Sequence, residues 1–310
     1  MKQITEILTR EERVKIISVN FSNGQFDFSD RSKPRAGKHL PEFKESTKHK
    51  QKQKGCGACF DLDLPPNVSA MNNDILRSGL FSSARRSEPS DDTLVHDLQV
   101  ATVGKTKISL TGYVLDQVDY EVYECLINQF KLGGIELEMR LVDLAKMIRW
   151  EKGGNQTESL IMSLKKLNSS SIEIDTPEYR YFGGLVDRAV YEKYSGTVNV
   201  KLGAEVAKMY ASNNWTMLSL DESSSLGRNY LARWMYKFFK SHKSPFPYKL
   251  ETIKELSNNA HIQQKGFNIK LKKACALLNE KLGWEFSIDK RKLHIKKHEL
   301  VETNEDSEMV

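Results

Sequence analysis

One order of elements is written twice in this chain, and that repetition restricts its fold more than any other feature. In the first copy, "TKISLTGYVL" from Thr106 alternates apolar and polar residues as a half-buried strand does. "DQVDYEVYECLINQFK" then predicts a helix with Asp116 as its N-cap and with Val118, Val122, Leu126 and Phe130 on one face; Gly133 and Gly134 end it. "LVDLAKMIRW" predicts a second helix, "EKGG" a turn, and "QTESLIMSLKKLNS" from Gln156 a third. "SIEI", "YRYFGGLVDRAVYE" and "TVNVKL" follow as strands, with a turn at Gly183 and Gly184. In the second copy, "SSLGRNYLARWMYKFFKSH" predicts one long helix, "PFP" a break and "KLETIKELS" a short helix. "QQKGFNIKLKKACALLNEKLG" is the third helix, and "WEFSID" with "KLHIKK" make a hairpin across Asp289–Lys292. Helix, helix, turn, helix, hairpin is the winged helix-turn-helix plan.

In such modules the third helix enters the major groove of DNA while its inner face anchors to the other two. The first copy's third helix lines Leu160, Leu164 and Leu167 on one face. Gln156, Ser159, Ser163 and Lys166 are its expected base-reading side chains. The second sets Phe267, Leu271, Cys275 and Leu278 against Gln264, Lys265, Asn268 and Lys272. Asn and Gln suit adenine edges, and Lys suits guanine or phosphate. The competing reading of either helix is an ordinary solvated surface helix.

Charge supports the DNA reading through its distribution. The 310 residues carry a net charge of +6, which alone says little about partners. Nine Lys or Arg stand against two acids from Arg31 to Lys54, six against none from Ser223 to Leu250, and ten against three from Ile262 to His298. Lys237, Lys240, Lys290, Arg291 and Lys292 are the expected phosphate contacts. Residues 1–70 are expected to form a basic, disordered arm, too poor in periodic apolar positions to offset the entropy of ordering. The expected division continues with a first winged-helix domain over 71–202 including a lead segment, a second over 203–300, and an acidic tail over 301–310. The fold class is therefore α+β, with tandem winged helix-turn-helix domains behind a disordered basic N-terminal arm.

Apolar runs fall short of the roughly 20 residues a membrane span needs, and "MKQITEILTREERVK" lacks an apolar core for export. Four scattered cysteines (Cys56, Cys59, Cys125 and Cys275) fit a reducing cytoplasm. The expected setting is the cytoplasm, without a membrane partner.

Several strings look chemical. "GKT" at Gly104–Thr106 lacks the earlier glycine of a phosphate loop, since Gln99 stands there. "CGAC" at Cys56–Cys59 has zinc-knuckle spacing near His39 and His49, but a second Cys pair is absent and the basic arm is the simpler reading. His294 and His298 lie in a predicted strand, where their side chains stand about 13 Å apart. A relaxase-like enzyme would need a His-X-His pair, which the chain lacks, together with a nucleophilic tyrosine. Tyr123, Tyr210 and Tyr236 fall in helical patterns that packing explains. No catalytic residue, cofactor or metal is expected.

"LARWMYKFFKSHKSPFPYKLETIKELS" (231–257) resembles the TrfA family of iteron-binding plasmid replication initiators, which there carry a helix of the "LARWLHGYYSSH" kind followed by "PFP". "ILRSGLFSSARR" (75–86) looks like the family's "ARSALF" segment, and "LTGYVLDQVDYEVYECLI" (110–127) like its "YTG-LDQ-D-DVW--L" stretch. The resemblance covers roughly residues 74–298. It implies binding to direct repeats in double-stranded origin DNA, opening of AT-rich DNA, and recruitment of host DnaA, the DnaB helicase and the sliding clamp. Leu80 and Phe81, ending "RSGLF", are the nearest match to a clamp-binding pentapeptide of the "QLSLF" type, although the glutamine is missing; packing against the first domain is the alternative. A sequence-specific repressor built on the same winged helices is the alternative function. The sequence leaves an equilibrium between monomer and homodimer open.

Overall fold

Apolar and small residues after Asn67 build a lead segment that local periodicity does not reveal. β1 (Val68–Asn72) is followed by the single-turn α1 (Asn73–Leu76) and by β2 (Phe81–Ser82). β1 pairs antiparallel with the strand Trp215–Ser219, and β2 pairs parallel with Leu115–Asp116, so neither partner is local. The computed structural model describes residues 67–84, 94–133, 136–149, 156–203, 206, 209–210 and 214–297. The expected arm up to residue 66, including the Cys56–Cys59 string, and the acidic tail lie outside the described residues, whereas Val68–Ala70, expected in the arm, form the start of β1.

The first lobe opens with β3 (Leu94–Val100), β4 (Lys107–Tyr113) and β5 (Leu115–Asp116). α2 (Gln117–Gly133) is its first long helix, β6 (Glu136–Arg140) follows, and α3 (Leu141–Met147) and α4 (Gln156–Ser169) complete the trio. Four strands end the lobe: β7 (Ser171–Asp175), β8 (Arg180–Gly183), β9 (Arg188–Glu192) and β10 (Thr197–Lys201). The residues around Gly183 and Gly184 do separate two strands, but those strands belong to different sheets. β7 and β8 extend β3 and β4 into a four-stranded antiparallel sheet. β9 and β10 form the wing with β6, in the order β6-β10-β9. Gly112 adopts φ +127°, and a Cβ there would stand 2.8 Å from the Cα of Ser170, so the "LTGY" glycine permits the close approach of β4 to the end of α4. "GKT" sits in the turn between β3 and β4, where Thr106 donates to Asp74 at 2.7 Å.

The second lobe contains β11 (Trp215–Ser219), α5 (Leu220–Ser225), α6 (Tyr230–Lys240), β12 (Tyr248–Lys249), α7 (Leu250–Leu256), α8 (Gln264–Leu282), β13 (Glu285–Asp289) and β14 (Lys292–Lys296). The long helix expected from Ser224 is two helices. Gly227 turns with φ +57°, and Asn229 caps α6 by accepting from the Ala232 amide at 3.0 Å. β13 and β14 form the expected hairpin, with β12 on the far side of β14.

α6 is the hub of the core: Trp234, Met235, Tyr236, Phe238 and Phe239 are all buried. Trp234 and Phe238 stack at 4.7 Å, and Tyr248 meets Phe238 edge-on at 5.3 Å. The lead segment contributes Ile75, Leu76, Leu80 and Phe81 to the same continuous apolar cluster. Phe81 packs edge-on against Tyr120 at 5.3 Å and stacks on Tyr123 at 5.9 Å. This corrects the clamp expectation: Leu80 is 1% and Phe81 3% exposed, so neither side chain is on offer to a partner.

Candidate nucleic-acid interface

α8 divides cleanly by face. Phe267, Leu271, Ala274 and Leu278 are fully buried against the lobe, while Lys265, Ile269, Lys272, Lys273 and Ala276 face outward. The pattern follows from 3.6 residues per turn, since positions 267, 271, 274 and 278 recur at intervals of four, three and four. Gln264 and Asn268 flank the ridge at half-burial, and Gln264 donates its amide to Asn268 Oδ1 at 2.9 Å, which orients the Asn268 side chain. All four residues named from the sequence on this helix therefore lie on or beside its free face.

The adjoining hairpin presents Lys290, Arg291 and Lys292, all exposed. Lys290 and Arg291 occupy the two turn positions with φ of 44° and 62°. A two-residue hairpin turn of this handedness favours Asn and Gly, because other side chains are strained at positive φ. Two long cations stand there instead, at the point of the hairpin farthest from the core.

Ion pairs occur in both lobes, but they bypass the free face of α8 and the hairpin turn. In the first, Arg188 pairs with Glu136 at 2.6 Å, Lys146 with Asp143 at 2.8 Å, Lys201 with Asp187 at 3.7 Å, and Arg180 with Glu173. In the second, none of Lys265, Lys270, Lys272, Lys273, Lys290, Arg291 and Lys292 forms an ion pair among the described residues. These seven cations therefore stand without an ion-pair partner among the described residues, while Glu280 and Glu285 on the same elements pair with Lys281 at 2.9 Å and Lys296 at 3.8 Å.

α4 is different. Ser163 is fully buried and donates to Asp119 Oδ1 at 2.7 Å, and Lys166 is 4% exposed. Neither is available to a base edge, which corrects their assignment. At about 100° per residue, position 163 lies about 70° and position 166 about 130° from the middle of the leucine stripe, so the buried part of α4 reaches well beyond that stripe at one margin. Gln156 and Ser159 are half-buried at that same margin, and the Gln156 amide nitrogen is itself buried. The free face of α4 carries Thr157, Glu158, Lys165 and Ser169.

Two of the expected phosphate contacts also move. Lys237 is 3% exposed: its ammonium donates to Gln117 Oε1 at 2.8 Å and sits 3.5 Å from the centre of the Tyr120 ring. Burial holds its pKa well below the usual lysine value, with Glu124 opposing that shift and Arg233 adding to it. It is a structural cation between α2 and α6, not a phosphate ligand. Lys240 is half-exposed and shared with Glu222 at 3.4 Å.

Comparison with known proteins assigns the chain to a family. The family model described as TrfA protein matches residues 38–296. The chain belongs to the TrfA family. A curated relative, the plasmid replication initiator protein TrfA of Escherichia coli, is 23% identical over 229 residues, covering 70% of this chain. The chain spans 58% of that relative's length. Among solved structures, domains 2 and 3 of RctB align with a TM-score of 0.50 at 12% identity, covering 72% of this chain and 97% of that one, which shows the shared winged-helix fold. The Pi initiator protein in complex with iteron DNA aligns at a TM-score of 0.44 and 14% identity, over 58% of this chain and 93% of that one.

Within the TrfA-family chain, the "LDQVD" stretch works as a junction. Asp116 caps α2 by accepting from the Val118 amide at 2.8 Å, and Asp119 Oδ2 accepts the Asp116 amide at 3.0 Å. Gln117 joins the lead segment to α6, donating to the Phe81 carbonyl at 2.7 Å while accepting from Lys237. Arg233 on α6 pairs with Glu121 on α2, and Ser69 donates to Glu124 at 2.5 Å. The structural parts of this motif were missed because their partners are more than 30 residues away in sequence; only the Asp116 cap is local.

Proposed function

We propose that this protein is a plasmid replication initiator that binds direct repeats in origin DNA, with α8 of the second lobe as its principal base-reading helix. The observation that carries this reading is the cluster of unneutralised cations on α8 and the β13–β14 hairpin, set around an oriented Gln264–Asn268 amide pair. Lysines at the groove margins would neutralise phosphates and release counterions, while Gln264, Asn268 and Lys272 meet base edges. Lys290, Arg291 and Lys292 would track the backbone beside the groove. The first lobe would contribute through Lys165, Thr157 and Ser169 of α4, with Glu158 limiting its attraction for the duplex.

Opening of AT-rich DNA and recruitment of host DnaA and DnaB rest on the family resemblance and follow binding. Footprinting of the DNA flanking this gene is the test. Regularly spaced, protected direct repeats beside an AT-rich tract support an initiator. Protection of a lone inverted repeat over a promoter would assign the same helices to repression instead.

A further inference from the structure

Ile269 has no structural reason to stand where it does. It is 53% exposed at the middle of the free face of α8, one turn from Lys265, Lys272 and Lys273, and it takes no part in the apolar cluster that buries Phe267 and Leu271. A β-branched residue is a poorer helix former than alanine, lysine or glutamine, and at this exposed position no packing repays the difference. Its neighbours one turn away on this face are lysines, with the Gln264–Asn268 amide pair beside them, so the isoleucine interrupts a surface suited to acceptors.

Major-groove base edges offer one prominent apolar feature, the C5-methyl group of thymine; the remaining groups are hydrogen-bond donors and acceptors. We propose that Ile269 is a specificity-determining residue that packs against a thymine methyl in the repeat, at the centre of the contact made by α8. This deepens the proposed function and rests on it. Flanking lysines hold the backbone on either side, which presses the helix face onto the base edges and removes the methyl and the isoleucine from water together. Gln264 and Asn268 then read hydrogen-bonding edges beside it. The recognised sequence carries a thymine between positions that lysine and asparagine read.

The experiment starts from duplexes selected for binding to the full chain from a randomised pool. Each thymine of the selected site is then replaced singly by uracil, which deletes the methyl and keeps the base pairing and the O4 acceptor. At one thymine, replacement should weaken binding about 4-fold, the value of one buried methyl-sized group. Ile269→Ala should bind the thymine site about 4-fold more weakly and be indifferent to uracil at that position, with its response elsewhere unchanged. Ile269→Val should retain part of the uracil response. Equal uracil responses in the native protein and Ile269→Ala at every thymine would overturn the assignment, as would the absence of any responsive thymine. Failure of the selection to yield a preferred sequence would overturn the repeat-binding reading itself. Because Ile269 lies outside the core, Ile269→Ala should keep the native melting temperature.

Discussion

Ser163 on α4 donates its hydroxyl proton to Asp119 on α2 across 2.7 Å, and both residues are fully buried. That bond joins the third helix of the first lobe to the capped N-terminus of its first helix. Asp119 meanwhile accepts the Asp116 amide through its other oxygen.

Replacing Ser163 with alanine should therefore cost about 1–3 kcal/mol of stability, the range for removing the partner of a buried polar group. Urea denaturation checks the magnitude. Base preference of the surviving folded protein should be unchanged, because the hydroxyl faces the core.

Phe81→Ala should cost about 3–5 kcal/mol, as loss of a fully packed aromatic does. The ring fills the space between Tyr120 and Tyr123. Thermal unfolding gives the measurement. A variant that keeps native stability would show that the lead segment is held by other contacts.

Lys237 sets a pH dependence whose sign is fixed by burial. Its folded-state pKa lies below the unfolded value, so between the two the unfolded chain binds more protons. The penalty for charging the buried amine is complete below the depressed folded pKa. It is relieved as pH rises towards about 10.4, the unfolded lysine value. Native stability minus that of Lys237→Met should consequently increase with pH across this window. Parallel stability curves for the two proteins would contradict it.

Salt dependence separates the hairpin from the helix. Lys292→Ala should weaken binding to all duplexes alike and reduce the slope of log affinity against log salt by about 1. Lys272→Ala should alter the preferred sequence. Titrations at several salt concentrations, on selected and scrambled duplexes, distinguish the two outcomes.

Gly266 lies in the first turn of α8, and a Cβ there would meet only Ile262 Cγ2, at an ordinary 3.5 Å. Gly266→Ala should raise stability by about 0.5–1 kcal/mol. If the backbone at this turn approaches the duplex closely, the same change lowers affinity while stability rises. Denaturation and binding measured on one preparation test both effects.

How far the sequence reveals this molecule depends on the range of the interaction. α2, α8 and the β13–β14 hairpin were legible because their apolar periods, the Asp116 cap and the tight turn are local. The free face of α8 was legible too, since Phe267, Leu271 and Leu278 define one inner stripe. α4 misled because polar residues bordering a leucine stripe look exposed until a partner such as Asp119 is known. Lys237 misled because nothing local says that Gln117 and Tyr120 will enclose it. β1 and β2 pair with strands 151 and 34 positions away by register (Val68 with Ser219, Phe81 with Leu115), beyond any local pattern. β6 reads "ELEMR", too short and too charged to announce a strand before its partner β10 is known.

The central claim is that α8 reads DNA. Footprinting of the DNA flanking this gene, with the native protein and with the Asn268→Ala, Lys272→Ala double variant, tests it most directly. The native protein should protect evenly spaced repeats, and the double variant should lose that protection while melting at the native temperature. Identical protection by both proteins, or no protected repeats with the native protein, would contradict the assignment.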